Sequence, residues 1–193
     1  PDERDRVSAA KPVNIEAYEL YAQARRHWSQ RSPEGFRRAA ELFTRSLEID
    51  PNFALGHAGL ADTYYSQAEY YVIPSAEALR LSRDEAEKAI ALDPVLGEPY
   101  ATLAMIGMAQ NWNWNAAEAS LLKAIEFSPN YATAHFWYGG NYLSGAGLHS
   151  RAVDEYSLAY QLDPASPIIA SGYALALARA GHGGVAPTHH PPP

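Results

Sequence analysis

Four short phrases recur along this chain: IDPNF at 49–53, LDPVL at 92–96, SPNY at 128–131 and LDPAS at 162–166. Their prolines, Pro51, Pro94, Pro129 and Pro164, lie 43, 35 and 35 residues apart. Proline lacks an amide hydrogen and collides with the preceding helical turn, so each phrase marks a stop. Stops at a near-constant interval dictate a row of similar units. A period of about 34 residues is that of paired helices that stack into a solenoid.

Each stop closes a stretch with helical periodicity: RRAAELFTRSLEIDP, ALRLSRDEAEKAIALDP, AAEASLLKAIEFSP and RAVDEYSLAYQLDP. Ala39, Phe43 and Leu47 form one apolar row, and Ala117, Leu121 and Ile125 another; residues four apart share a helix face. A second helix is expected after each proline: NFALGHAGLADTYYSQ, VLGEPYATLAMIGMAQ, YATAHFWYGGNYLSG and SPIIASGYALALARAG. In three of these a large residue precedes a pair three and four places on. His57 precedes Leu60 and Ala61, Tyr100 precedes Leu103 and Ala104, and His135 precedes Tyr138 and Gly139. The small member of each pair lets a neighbouring helix come close. Expected helix starts are Asn14, Ser32 before Pro33, Ser75, Ser150, and a capping box of Asn115 with Glu118.

These positions carry a resemblance to the tetratricopeptide repeat. They are Leu60, Ala61, Tyr64, Ala89 and Pro94; Tyr100, Leu103, Ala104, Ala117, Leu121, Ala124 and Pro129; and Tyr138, Gly139, Tyr142, Ala152, Tyr156, Ala159 and Pro164. The resemblance implies an all-α fold, a right-handed superhelical α-solenoid of antiparallel helix pairs, with about four repeats plus one extra C-terminal helix. The expected organisation is a polar N-terminal extension at 1–13 and a repeat domain at 14–181. The repeats fall at about 14–51, 52–94, 95–129 and 130–164, the final helix at 166–181, and a glycine, histidine and proline tail at 182–193. Departures from the family pattern are about two extra residues between the helices of the first repeat, about nine in SQAEYYVIP of the second, and Gly107 where the family usually has an aromatic. The phrases AYELYAQARRHWSQRSPEGFRRAAELF, GLADTYYSQAEYYVIPSAEAL and WNWNAAEASLLKAI further resemble the repeat regions of multidomain bacterial signalling proteins. There the array accompanies a winged-helix, adenylate cyclase or Ser/Thr kinase domain. No such effector domain is recognised here, and the start at Pro1 points to a fragment.

The net charge of −7 argues against nucleic acid or anionic membrane as a partner. With no cysteine there is no disulfide, thiolate metal site or thiol nucleophile. No apolar run approaches the roughly 18 residues of a membrane span, and no signal peptide is visible, so a cytoplasmic location is expected. No cofactor and no metal is expected, because the histidines (His27, His57, His135, His149, His182, His189 and His190) have no partner at a ligand spacing. No enzyme activity is expected, since it would need Arg26, Asp62 and His57 to converge.

The resemblance implies a concave groove lined by the first helix of each repeat. Counting by fours along those helices assigns Arg26, Asp62, Tyr65, Met105, Met108, Phe136 and Leu143 to it, a mostly apolar floor suited to a peptide or protein segment. In the family's co-chaperones a lysine and two asparagines clamp a terminal carboxylate. The matching positions here hold Ala22, Arg26, Gly59 and Glu98, so chaperone C-terminal tails are not expected to bind. The alternative is self-association through the last helix, where Ile168, Ile169, Tyr173 and Leu177 are expected to be sticky. Trp112 and Trp114 read either as a stacking platform or as packing over a gap near Gly107. Tyr70, Tyr71, Val72 and Ile73 read as a packed flap or as a partner contact.

Overall fold

The computed structural model describes residues 14–111 and 113–181. They form nine helices: α1 Ile15–Trp28, α2 Pro33–Ile49, α3 Ala54–Glu69, α4 Ser75–Leu92, α5 Glu98–Asn111, α6 Trp114–Phe127, α7 Ala132–Trp137, α8 His149–Leu162 and α9 Pro167–Arg179. No strand occurs among the described residues. The extension at 1–13, Trp112 and the tail with His182, His189 and His190 lie outside them.

Local chemistry sets the helix ends. Asn14 caps α1, its side-chain oxygen accepting from the amides of Glu16 at 3.0 Å and Ala17 at 3.2 Å. Ser32 caps α2 by accepting from the Gly35 amide at 3.0 Å, with Pro33 at the first helical position. All four closing prolines fall two residues past a helix end. In two of them the preceding aspartate makes an Asx turn, Asp50 accepting from Asn52 and Asp93 from Val95, each at 3.1 Å.

Three expected caps are displaced. The start of α6 is capped by Asn113, which accepts from the Ala116 amide at 3.2 Å, rather than by Asn115. Asn115 lies inside the helix, so no box forms with Glu118, whose oxygens accept instead from the hydroxyls of Tyr138 at 3.1 Å and Tyr142 at 2.8 Å. Ser75 is the first residue of α4, with Pro74 before it, and its hydroxyl bonds the Ala68 carbonyl. Ser150 lies inside α8, which Leu148 precedes.

Consecutive helices pack antiparallel in chain order, and the first helices of successive pairs, α1, α3, α5 and α7, also pack against one another. Small residues make this possible. A Cβ on Gly59 would meet the Phe43 ring at 2.4 Å, and one on Gly97 would meet the Ala124 carbonyl oxygen at 2.3 Å. Two apolar clusters follow. One joins α1, α2 and α3 around Trp28, Phe36 and Phe43; the other runs from α3 to α8 around Ile106, Leu121 and Trp137.

One side-chain position repeats through the array. His57, Tyr100 and His135 each sit six residues after a closing proline and donate to that proline's carbonyl: His57 Nε2 to Pro51 at 3.1 Å, the Tyr100 hydroxyl to Pro94 at 2.9 Å, and His135 Nε2 to Pro129 at 2.9 Å. The two histidines use their other nitrogen to grip the second helix of their own pair. His57 Nδ1 meets Glu85 at 2.6 Å and His135 Nδ1 meets Glu155 at 2.7 Å. They are therefore clasps between turn and helix pair.

Two local features differ from the expected pattern. After Trp137 the chain makes a π-helical turn over Tyr138–Leu143 instead of continuing as α-helix. It brings the rings of Tyr138 and Tyr142 into a stack at 5.6 Å, above Glu118. The Gly139-Gly140 pair lies in this turn, with Tyr156 of α8 against it. The extra residues of the second repeat, 66–74, complete the last turn of α3 and form the short connection to α4. There Tyr70 packs edge-on against Phe36 at 4.9 Å, Val72 joins the first cluster, and Tyr71 is 85% exposed with φ of 54°.

Candidate functional site: a cavity across the stacked first helices

Asp62, on α3, is 1% exposed. A lone buried carboxylate is costly, and this one is fully engaged. One oxygen accepts from Thr102 of α5 at 2.5 Å; the other accepts from Arg25 of α1 at 3.0 Å and from Tyr131, at the start of α7, at 2.5 Å. One side chain thus ties together all four stacked first helices. Burial, and then the Asp62 charge, hold the Tyr131 phenol well above its usual range, so it stays a donor. Arg25 stays charged: burial opposes this, and its polar neighbours outweigh it, the Asp62 carboxylate bonded at 3.0 Å being the anion among them.

Around this junction the walls of α1, α7 and the α8–α9 turn enclose a cavity of about 370 Å³. One wall is cationic and aromatic. The guanidiniums of Arg25 and Arg31 lie 4.4 and 4.1 Å from the Trp28 ring centre, within cation–π range. The Trp28 indole is anchored by donating to Ser66 Oγ at 3.0 Å. The other wall is apolar: Phe136, its ring edge-on to Tyr156 at 5.5 Å, with Ile168 and Ile169 from α9. Gly172 allows α9 this close, since a Cβ there would meet the rings of Tyr156 at 2.6 Å and Phe136 at 2.9 Å.

The seven residues assigned from sequence divide in two. Arg26, exposed, and Phe136, half-buried, line the cavity. Asp62, Tyr65, Met105 and Leu143 are buried inside the stack, the last three in the second cluster, against which Met108 packs. Tyr65 lies edge-on to Trp137 at 5.5 Å, and Met105 sulfur accepts from Asn141. Of the helices that counting by fours picks out, α1 and α7 supply cavity residues, whereas the counted positions on α3 and α5 lie inside the stack or against it. Arg25, Trp28, Arg31 and Tyr131 were missed. The visible signal was Arg25, Trp28 and Arg31 at intervals of three residues, the first two on one face of α1. Arg26, Asp62 and His57 share no partner: Asp62 is held as above, and His57 by Glu85 and Pro51.

Trp114 packs against the Tyr142 ring at 5.9 Å, and a Cβ on Gly145 would meet its indole at 2.9 Å. It therefore covers the end of the π-helical turn, while Gly107 faces open space.

No family model matches the chain, and no curated protein matches it. Among solved structures it is similar to TTC0263, a thermophilic TPR protein of Thermus thermophilus, at 17% identity over 85% of this chain and 82% of that one, with a TM-score of 0.63. It is similar also to yeast Tom70, at 19% identity over 90% of this chain and 36% of that one, with a TM-score of 0.56. Together with antiparallel helix pairs that pile up in chain order, these likenesses show that the chain has the tetratricopeptide-repeat solenoid fold.

Proposed function

We propose that this chain is a non-catalytic interaction scaffold that holds a peptide or protein segment in its concave groove and acts within a larger bacterial signalling protein of the cytoplasm. The observation that carries this is the cavity between α1, α7 and α9, with an apolar wall facing an aromatic–cationic one. Its volume of about 370 Å³ suits one or two inserted side chains. Nucleic acid and membrane are disfavoured by the net charge of −7, and no described helix is long and apolar enough to cross a membrane.

A photo-crosslinking phenylalanine analogue at Phe136, compared with one at Leu122, which is 46% exposed on α6, tests the groove in the bacterial cell. Adducts to one partner from position 136 but not from 122 support the reading. Equal labelling from both removes it. The second reading, self-association, is favoured by Leu175, which is 50% exposed on α9 with no described helix beyond it. A sedimentation coefficient that stays monomeric at every concentration excludes it.

A further inference from the structure

We infer that the groove selects an acidic segment of a partner protein, with a carboxylate side chain seated on Arg26 and Arg31 and an adjacent apolar side chain against Phe136, Ile168 and Ile169. This rests on the groove being the binding surface and adds the chemistry of what enters it.

The argument is one of charge left over. The chain carries a net charge of −7, yet three arginines converge on this cavity against a single lining carboxylate, Asp163. Arg25 is matched by Asp62 at 3.0 Å. Among the described residues, neither Arg26 nor Arg31 has a carboxylate within 4.0 Å. Arg31 is the more telling. Its backbone takes the left-handed region, with φ of 50°, which costs a non-glycine residue free energy. Its side chain is held against Trp28 and bonded to Ser66 Oγ at 3.3 Å. Its burial lowers the guanidinium's pKa; Tyr70, Glu69 and Asp62 oppose this only in part. Glu69 already accepts from the Tyr65 hydroxyl at 3.2 Å.

The cavity therefore offers a fixed guanidinium fork, largely desolvated on its aromatic side, and a second, exposed one at its mouth. A planar carboxylate is the anion such forks bind in paired hydrogen bonds. The apolar wall lies across the same cavity, so acid and hydrophobe must be near neighbours in the bound segment.

The test is selection from a random-peptide library displayed on phage, with each C-terminus fused so that only side-chain carboxylates are offered, against the immobilised full chain. The expected result is enrichment of Asp or Glu within a few residues of Leu, Ile or Phe. Replacing the acid of a recovered peptide by its amide should weaken binding about tenfold, as loss of one charge-assisted hydrogen bond implies. The R26Q/R31Q variant should bind acid and amide peptides alike, and R26Q alone, at an exposed position, should show a smaller loss with folding intact. Recovered peptides with no acidic enrichment, or a preference for acid that survives in R26Q/R31Q, would overturn the inference. If such peptides still lose binding in Phe136→Ala, the groove reading stands while the acidic one falls. If no peptide is enriched, both fall.

Discussion

Tyr131 and Asp62 are 69 positions apart in sequence, and the hydroxyl of one donates to the carboxylate of the other. That bond links the turn opening the fourth helix pair to the middle of the second. Because Arg25 and Thr102 share the same carboxylate, the first and third pairs join as well.

The first prediction concerns this carboxylate. Asp62→Ala leaves a guanidinium and two hydroxyls without their acceptor. Breaking a buried pair in this way costs about 3–5 kcal/mol. Tyr131→Phe removes one bond and should cost about 1 kcal/mol. Urea unfolding followed by circular dichroism measures both, and equal midpoints for Asp62→Ala and the parent would refute the junction.

The second concerns pH. Burial alone would lower the His135 pKa, but its hydrogen bond to Glu155, the Pro129 carbonyl and the Glu155 charge outweigh this and raise it. A raised folded value means that the native state binds the proton more tightly than the unfolded chain, whose histidine titrates near about 6.5. The stabilisation is complete below that value and is lost as pH rises through the folded one. The stability gap between the parent and His135→Gln should therefore be wider at pH 6 than at pH 9, and Glu155→Gln should narrow it. A gap that widens towards alkaline pH contradicts the pairing.

The third contrasts two glycines. At Gly97 a methyl group would lie 2.3 Å from the Ala124 carbonyl oxygen, a backbone atom that cannot step aside cheaply. Gly97→Ala should destabilise by about 1–3 kcal/mol, the usual range for overpacking. At Gly107, inside α5, a methyl group meets nothing within 4 Å. Gly107→Ala should stabilise by about 0.5–1 kcal/mol through helix propensity. Thermal melts of the pair should move in opposite directions.

The fourth concerns the connection before α4. Tyr71 is 85% exposed and holds φ of 54°. Left-handed backbone costs about 1–2 kcal/mol for such a residue, and its ring buries little. Tyr71→Gly should leave stability unchanged or raise it by up to about 1 kcal/mol. A clear loss would show that the ring is bound to something it does not touch here.

How far the residues themselves disclosed this arrangement depends on sequence distance. Pro51, Pro94, Pro129 and Pro164 each fall two residues past a helix end, because a missing amide acts locally. Asn14 and Ser32 were legible for the same reason. The Asp62 junction was not, since its partners lie 37, 40 and 69 positions away and no local pattern pairs them. The π-helical turn at Tyr138–Leu143 was also hidden. It is adapted to Tyr156 and Glu118, which belong to other helices. The groove suffered likewise: a face counted as open along one helix is covered by the next helix in the stack.

A row of repeats is ordinarily a chain of independent neighbours, able to fray one unit at a time from either end. The shared anion at Asp62 works against that freedom. Peeling away the fourth unit would withdraw Tyr131 and leave the Asp62 anion to Arg25 and Thr102 alone, so loosening the last pair removes a donor from a carboxylate that the first and third pairs also hold. The molecule is then closer to a closed hoop than to a zip. Whatever parts Tyr131 from Asp62 acts on the one side chain where all four stacked first helices meet.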